Sequence, residues 1–82
     1  MNVKIYSKDQ CPYCVKAKQW FENYNIDYTE VKVTFAVKDV FLLETNGART
    51  VPQILIDDEL IGGYEDGLLA KEGYVKNLLG IK

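Results

Sequence analysis

The sequence contains no histidine, only two cysteines, and no apolar run that approaches the ~20 residues needed to cross a bilayer. Each shortage closes off a class of function. Without histidine there is no Cys–His nucleophilic pair of the protease kind. A structural zinc site needs four ligands drawn from Cys, His or carboxylate, and here there is neither histidine nor a second cysteine pair, so no metal is expected. Small secreted scaffolds carry several disulfides to replace a core they cannot build, and one closely spaced pair does not fit that pattern. Closing so short a loop removes little entropy from the unfolded chain, which makes a purely stabilising disulfide the weaker reading. The Cys11/Cys14 pair is therefore expected to do redox chemistry.

The charge balance is equally plain. Ten basic residues against twelve acidic ones give a net charge of −2, with no basic stripe to serve a nucleic acid. No basic start followed by a long apolar stretch marks a signal peptide, so a soluble cytoplasmic protein with no membrane partner is expected. The 82 residues are expected to form a single domain, 1–82, with 48% hydrophobic residues for its core.

Periodicity gives the order of elements. Asn2–Tyr6 alternates polar and apolar side chains as a strand does, and Ser7–Gln10 is a polar loop. From Pro12, which suits the first turn of a helix, Ala17, Trp20, Phe21 and Tyr24 recur at helical spacing. Tyr28–Val33 is a second strand, with Val31 and Val33 on one face and Glu30 and Lys32 on the other. Phe35–Thr45 is expected to be a helix on Val37, Val40, Phe41 and Glu44, stopped by Gly47. Gln53–Ile56 and Glu59–Ile61 form a hairpin about an Asp57-Asp58 turn. Gly62-Gly63 breaks the chain again, and Leu68, Leu69, Val75, Leu78 and Leu79 mark a closing helical region interrupted at Gly73. Strand–helix–strand units make right-handed crossovers and parallel pairs. The β-α-β-α-β-β-α order therefore predicts an α/β thioredoxin-like fold, a four-stranded mixed sheet with flanking helices.

That arrangement sets the CxxC motif just after the first strand, at a helix start. Unpaired backbone N–H groups and the helix dipole there favour an anion. A free thiol titrates near ~8.5, and such placement lowers it. Cys11, at the helix start, is the expected nucleophile, and Cys14, inside the first turn and more buried, the resolving thiol. Lys8 can add positive charge nearby or be simply a solvated loop lysine; Tyr13 offers a ring against which a ligand could pack.

Four segments then match one family in order: Ile5-Tyr6-Ser7-Lys8, Cys11-Pro12-Tyr13-Cys14, Arg49-Thr50-Val51-Pro52-Gln53 and Gly62-Gly63-Tyr64-Glu65-Asp66. The sequence resembles the glutaredoxins, in particular small dithiol members with a CPYC motif. The resemblance implies a glutathione-dependent thiol–disulfide oxidoreductase with glutathione as co-substrate, a monomer, reducing protein disulfides and glutathionylated proteins, with ribonucleotide reductase a family-typical acceptor. It implies a cis bond before Pro52, with the Val51 backbone groups pairing with the cysteine portion of glutathione. Gly63, Tyr64, Glu65 and the Asp66 carboxylate would hold the γ-glutamyl end; Asp66 could also cap the helix, which does not exclude the ligand role. Lys8 would meet the glycine carboxylate. The second helix usually adds a partner there, but Lys38 lies one position from the expected alignment, and Arg49 is a further candidate; Thr50 lies beside it. Acceptor specificity would reside in surface charge around Lys8, Gln10, Tyr13 and Arg49. Two other readings use the same cysteines: a hydrogen donor reduced by thioredoxin reductase, and a scaffold in which paired chains hold an iron–sulfur cluster.

Overall fold

A computed structural model describes residues 1–81. Strand β1, Val3–Ser7, is central in a four-stranded sheet of order β2-β1-β3-β4, where β2 is Thr29–Lys32, β3 Gln53–Ile56 and β4 Glu59–Gly62. β1 runs parallel to β2 and antiparallel to β3, and β3 pairs antiparallel with β4, giving the mixed sheet expected. The strand begins one residue later than its alternation suggested. Because both faces of the sheet are covered, neighbours Ile5 and Tyr6 are both buried, and simple alternation does not hold.

Helix α1, Pro12–Asn23, packs one face of the sheet with its buried stripe of Cys14, Ala17, Trp20 and Phe21. Val3, Ile5, Ile54, Ile56 and Ile61 meet that stripe from the strands, and Leu68 and Val75 close it from the C-terminal region. Tyr24, expected on the same stripe, is instead the residue that ends α1; it is about one-third exposed and packs its ring 4.7 Å from that of Trp20. The other face is a smaller cluster of Tyr6, Leu55 and Phe41. Phe41 comes from α2, Lys38–Glu44.

The second helix is shorter than expected. Phe35–Val37 forms one 3₁₀ turn, and Val37 at φ −105°, ψ 4° leaves helical geometry before α2 starts. Of the predicted stripe only Phe41 is buried, and Val40 stands half exposed. Leu42 and Ala48 pack on the Tyr6 cluster in its place. Gly47 does end the segment, at φ 81°, with its N–H donated to the Leu42 carbonyl at 2.8 Å.

Asp57 and Asp58 both take positive φ (49° and 68°), the pair of left-handed residues that a tight hairpin turn requires. After β4, Tyr64–Leu69 winds as a π-helical segment, with Leu68 N–H bonded to the Gly63 carbonyl at 2.9 Å. The interruption then falls at Ala70–Lys71 and not at Gly73, which lies in the first turn of α3, Glu72–Leu79. Lys71 leaves helical geometry (φ −118°, ψ 28°), and its ammonium is tied to the Ile61 carbonyl at 3.1 Å. A side chain at 73 would touch nothing within 4 Å, so nothing there forces a break. No helix among the described residues is long and apolar enough to cross a membrane.

Candidate active site

The cysteines sit where β1 hands over to α1. Gln10 takes φ 56°, a left-handed conformation that turns the chain into the helix. Cys11 then caps it, its sulfur accepting the Cys14 N–H at 3.2 Å, and Pro12 occupies the first turn. The two are joined as a disulfide with Cα atoms 5.2 Å apart. Their environments differ sharply: Cys14 is buried at 1% exposure, whereas Cys11 reaches the surface. The backbone donor aimed at the Cys11 sulfur would stabilise a thiolate there, which makes Cys11 the better nucleophile of the pair.

The loop before β3 comes up against this sulfur. The Val51–Pro52 peptide is cis, and the Val51 carbonyl oxygen lies 3.8 Å from Cys11 Sγ. Gln53 is buried beneath, and its side-chain amide donates to the Thr50 carbonyl at 3.1 Å, holding the loop against the sheet. From Thr50 and Val51 two grooves lead away.

One groove, of about 300 Å³, is lined by Tyr13, Thr50, Val51, Pro52, Gly63, Tyr64, Glu65 and Asp66. The Tyr13 and Tyr64 rings, 6.3 Å apart, stand along it, and Lys16 covers the Tyr13 ring at 5.2 Å. Gly63, not Asp66, is the residue that precedes the π-helical turn, and no side chain caps that turn. The Asp66 carboxylate folds over Gly63, occupying the space a side chain at 63 would need. Capping therefore does not account for Asp66.

The other groove is larger, about 690 Å³, and carries Lys8, Lys38 and Arg49 on its walls. Lys38 reaches the same groove as Lys8 and Arg49 despite its displaced position in the sequence. A 3₁₀ turn, Phe35–Val37, stands directly before the helix that Lys38 begins. No carboxylate lines this groove, and none of its three cations enters an ion pair among the described residues. The sequence reading missed the apolar wall, Val33, Phe35, Phe41 and Leu42. Phe35 at 95% exposed is its most unusual member, and only its position just past the end of β2 could have signalled it. All the expected site residues thus fall on the dithiol and these two grooves, and Gln10 lines a third cleft beside the dithiol.

Such a partly exposed, helix-capping cysteine paired with a buried one, set against a cis-proline loop on a mixed four-stranded sheet, defines a thioredoxin-like protein with a redox-active dithiol. Comparison with known proteins narrows the class. The glutaredoxin family model matches residues 3–61. Glutaredoxin 1 of Rickettsia prowazekii (strain Madrid E) is 42% identical over 82 residues, covering 95% of this chain and 86% of that protein. Glutaredoxin 3 of Escherichia coli (strain K12) is 39% identical over 66 residues, 79% of this chain and 80% of that protein. Among solved structures, glutaredoxin 1 from Francisella tularensis complexed with cacodylate superposes with a TM-score of 0.77 at 43% identity, covering 93% of this chain and 96% of that one. The chain belongs to the glutaredoxin family and is a thiol–disulfide oxidoreductase. Among the described residues no group of three or more His, Cys, Asp or Glu side chains could hold a metal ion.

Proposed function

We propose that this chain, as one glutaredoxin domain over 1–82, is a cytoplasmic monomer that uses glutathione to reduce protein disulfides and glutathionylated proteins. The observation that carries this is the meeting of two grooves at Thr50 and Val51 beside the Cys11 sulfur, one bearing Asp66 and backbone N–H groups, the other bearing cations. Glutathione has matching ends. Its cysteine would pair with the Val51 backbone, its amine with the Asp66 carboxylate, and its γ-glutamyl carboxylate with the Glu65 and Asp66 N–H groups. Its glycine carboxylate would face Lys8 and Arg49, with Lys38 in reach of the same groove.

On a glutathionylated protein, the Cys11 thiolate attacks the glutathione sulfur and the protein leaves as a thiolate. A second glutathione thiolate then attacks the Cys11–glutathione disulfide, releasing oxidised glutathione and restoring Cys11. On a protein disulfide, Cys11 forms the mixed disulfide and Cys14 displaces the substrate, closing Cys11–Cys14. Two glutathiones reopen that bond, the first attacking Cys11 and expelling Cys14. By the family resemblance, ribonucleotide reductase would be an acceptor of the second type.

A glutathione reductase/NADPH-coupled assay tests this. Cys11→Ser should abolish both activities, and Cys14→Ser should spare deglutathionylation while losing protein disulfide reduction. Reduction by thioredoxin reductase and not by glutathione would overturn the assignment of electron donor, and equal loss of both activities in Cys14→Ser would overturn the division of roles.

A further inference from the structure

Beside the dithiol lies a third cleft, of about 450 Å³, whose walls include both Cys11 and Cys14 together with Lys8, Asp9, Lys18 and Lys32. Lys18 follows Cys14 by four residues in α1, so the two side chains are neighbours on one helix face, with Cβ atoms about 5–6 Å apart. The ammonium of Lys18 is not free to wander. It donates to Glu30 Oε2 at 2.9 Å, and the same oxygen accepts the hydroxyl of Ser7, itself fully buried, at 2.6 Å. Those two hydrogen bonds, Ser7 first, hold the Glu30 carboxyl below the usual range, so the anion that anchors Lys18 persists through neutral pH. Glu30 does not line the cleft and Lys18 does. The cleft therefore holds Cys14 together with the cation and without the carboxylate.

Cys14 needs such a neighbour. At 1% exposure its sulfur has almost no water to stabilise a negative charge, and burial alone pushes a thiol up. Yet Cys14 must carry that charge twice in the cycle. When it attacks the Cys11–substrate disulfide it gives up its proton, the new Cys11–Cys14 bond forms, and the proton ends on the departing substrate thiolate. When glutathione attacks Cys11 to reopen the bond, Cys14 departs as the thiolate and is protonated afterwards. We infer that Lys18, positioned by Glu30 and Ser7, stabilises the Cys14 thiolate and so sets the rate of the dithiol half of the reaction. Of the other charged groups on this cleft, Lys32 is paired with Asp9, while Lys8 lines both this cleft and the large groove.

The inference rests on the resolving role of Cys14 and not on the identity of the electron donor. Lys18→Gln removes the charge but keeps a donor for Glu30, and Lys18→Arg keeps the charge. In a Cys11→Ser background the remaining thiol is Cys14, and its ionisation can be followed by thiolate absorbance against pH. Lys18→Gln should raise its midpoint by about one pH unit, and Lys18→Arg should restore it. At neutral pH that shift leaves tenfold less thiolate, offset by about threefold greater intrinsic nucleophilicity, so protein disulfide reduction should slow about threefold. Deglutathionylation, which does not use Cys14, should be unchanged. A midpoint that Lys18→Gln does not move would overturn the proposal, as would a midpoint above ~8.5 with Lys18 present, a measurement that needs no folded Lys18 variant. Loss of deglutathionylation in Cys14→Ser would instead overturn the role assigned to Cys14, whatever Lys18 does.

Discussion

Gly67 lies beneath β4 with no room for a side chain. A Cβ there would stand 2.6 Å from the Ile61 carbonyl oxygen and 2.7 and 2.8 Å from the Gly62 C and Cα atoms. Ordinary contact begins at 3.4 Å, so Gly67→Ala must open a gap of 3.4 − 2.6, about 0.8 Å, between the π-helical turn and the strand. Every obstructing atom is backbone of a strand already paired to β3, so no rotamer change relieves the clash. Overpacking of this kind costs about 1–3 kcal/mol. For a domain of this size each kcal/mol shifts Tm by about 4–8 °C, so the variant should melt roughly 5–20 °C below the parent. The displaced turn carries Tyr64, Glu65 and Asp66, so on the function proposed above KM for glutathione should rise more than kcat falls. Gly73→Ala is the matched control. Nothing lies within 4 Å of its Cβ position and it sits in α3, so it should gain about 0.5–1 kcal/mol. Urea titrations followed by fluorescence of the single, buried Trp20 would measure both. Equal responses at positions 67 and 73 would refute the reasoning.

Other expectations follow from the packing and the ion pairs. Phe21 is fully buried between α1 and the sheet, and Phe21→Ala should lose about 3–5 kcal/mol in the same titration. Gln10 holds a left-handed φ of 56°, so Gln10→Gly should be neutral or stabilising by up to about 1 kcal/mol, and a clear loss would mean that its side chain is needed. Glu30 is held low by Ser7 and Lys18, and Glu44 by Tyr6 and Lys4, so both bind fewer protons folded than unfolded. Their contribution is present above the unfolded value of 4.5 and is lost as pH falls through the folded values, and Glu30→Gln and Glu44→Gln should each flatten that acid limb. Burial and Glu44 push Tyr6 up to about 12, so its contribution holds below pH 10 and fades as pH rises toward 12; Tyr6→Phe should remove that alkaline loss.

Much of the fold was legible because local rules agreed with one another. Pro12 followed by apolar residues at helical spacing announced α1, and the Asp57-Asp58 pair announced the hairpin that the positive φ values at both residues now explain. The failures share one cause. Val40 and Tyr24 obey helical spacing, yet whether a position on that spacing is covered depends on what lies opposite, and α2 is too short to bury more than Phe41. Gly73 looked like a breaker, but a glycine that meets nothing and needs no unusual φ breaks nothing. The real interruption at Lys71 is tied by a hydrogen bond to Ile61, ten residues earlier, and no local pattern reports that.

The division is sharpest at the site. The identity of the chemistry lay in the sequence alone, since two thiols at CxxC spacing without histidine or further cysteines leave little but thiol–disulfide exchange. Local backbone rules also placed Cys11 at a helix start, because Pro12 can occupy a first turn without losing a hydrogen bond. Only the tertiary structure decided what surrounds the sulfurs. Lys8, Lys38 and Arg49 are distant in the chain and share a groove because β1, α2 and the loop before β3 converge there. Ser7, Lys18 and Glu30 meet because parallel pairing of β1 with β2 sets Ser7 beside the strand that carries Glu30, with α1 packed across them. Electrostatic effects depend on distance and burial, and those are properties of the packed chain, which spacing along the sequence does not contain.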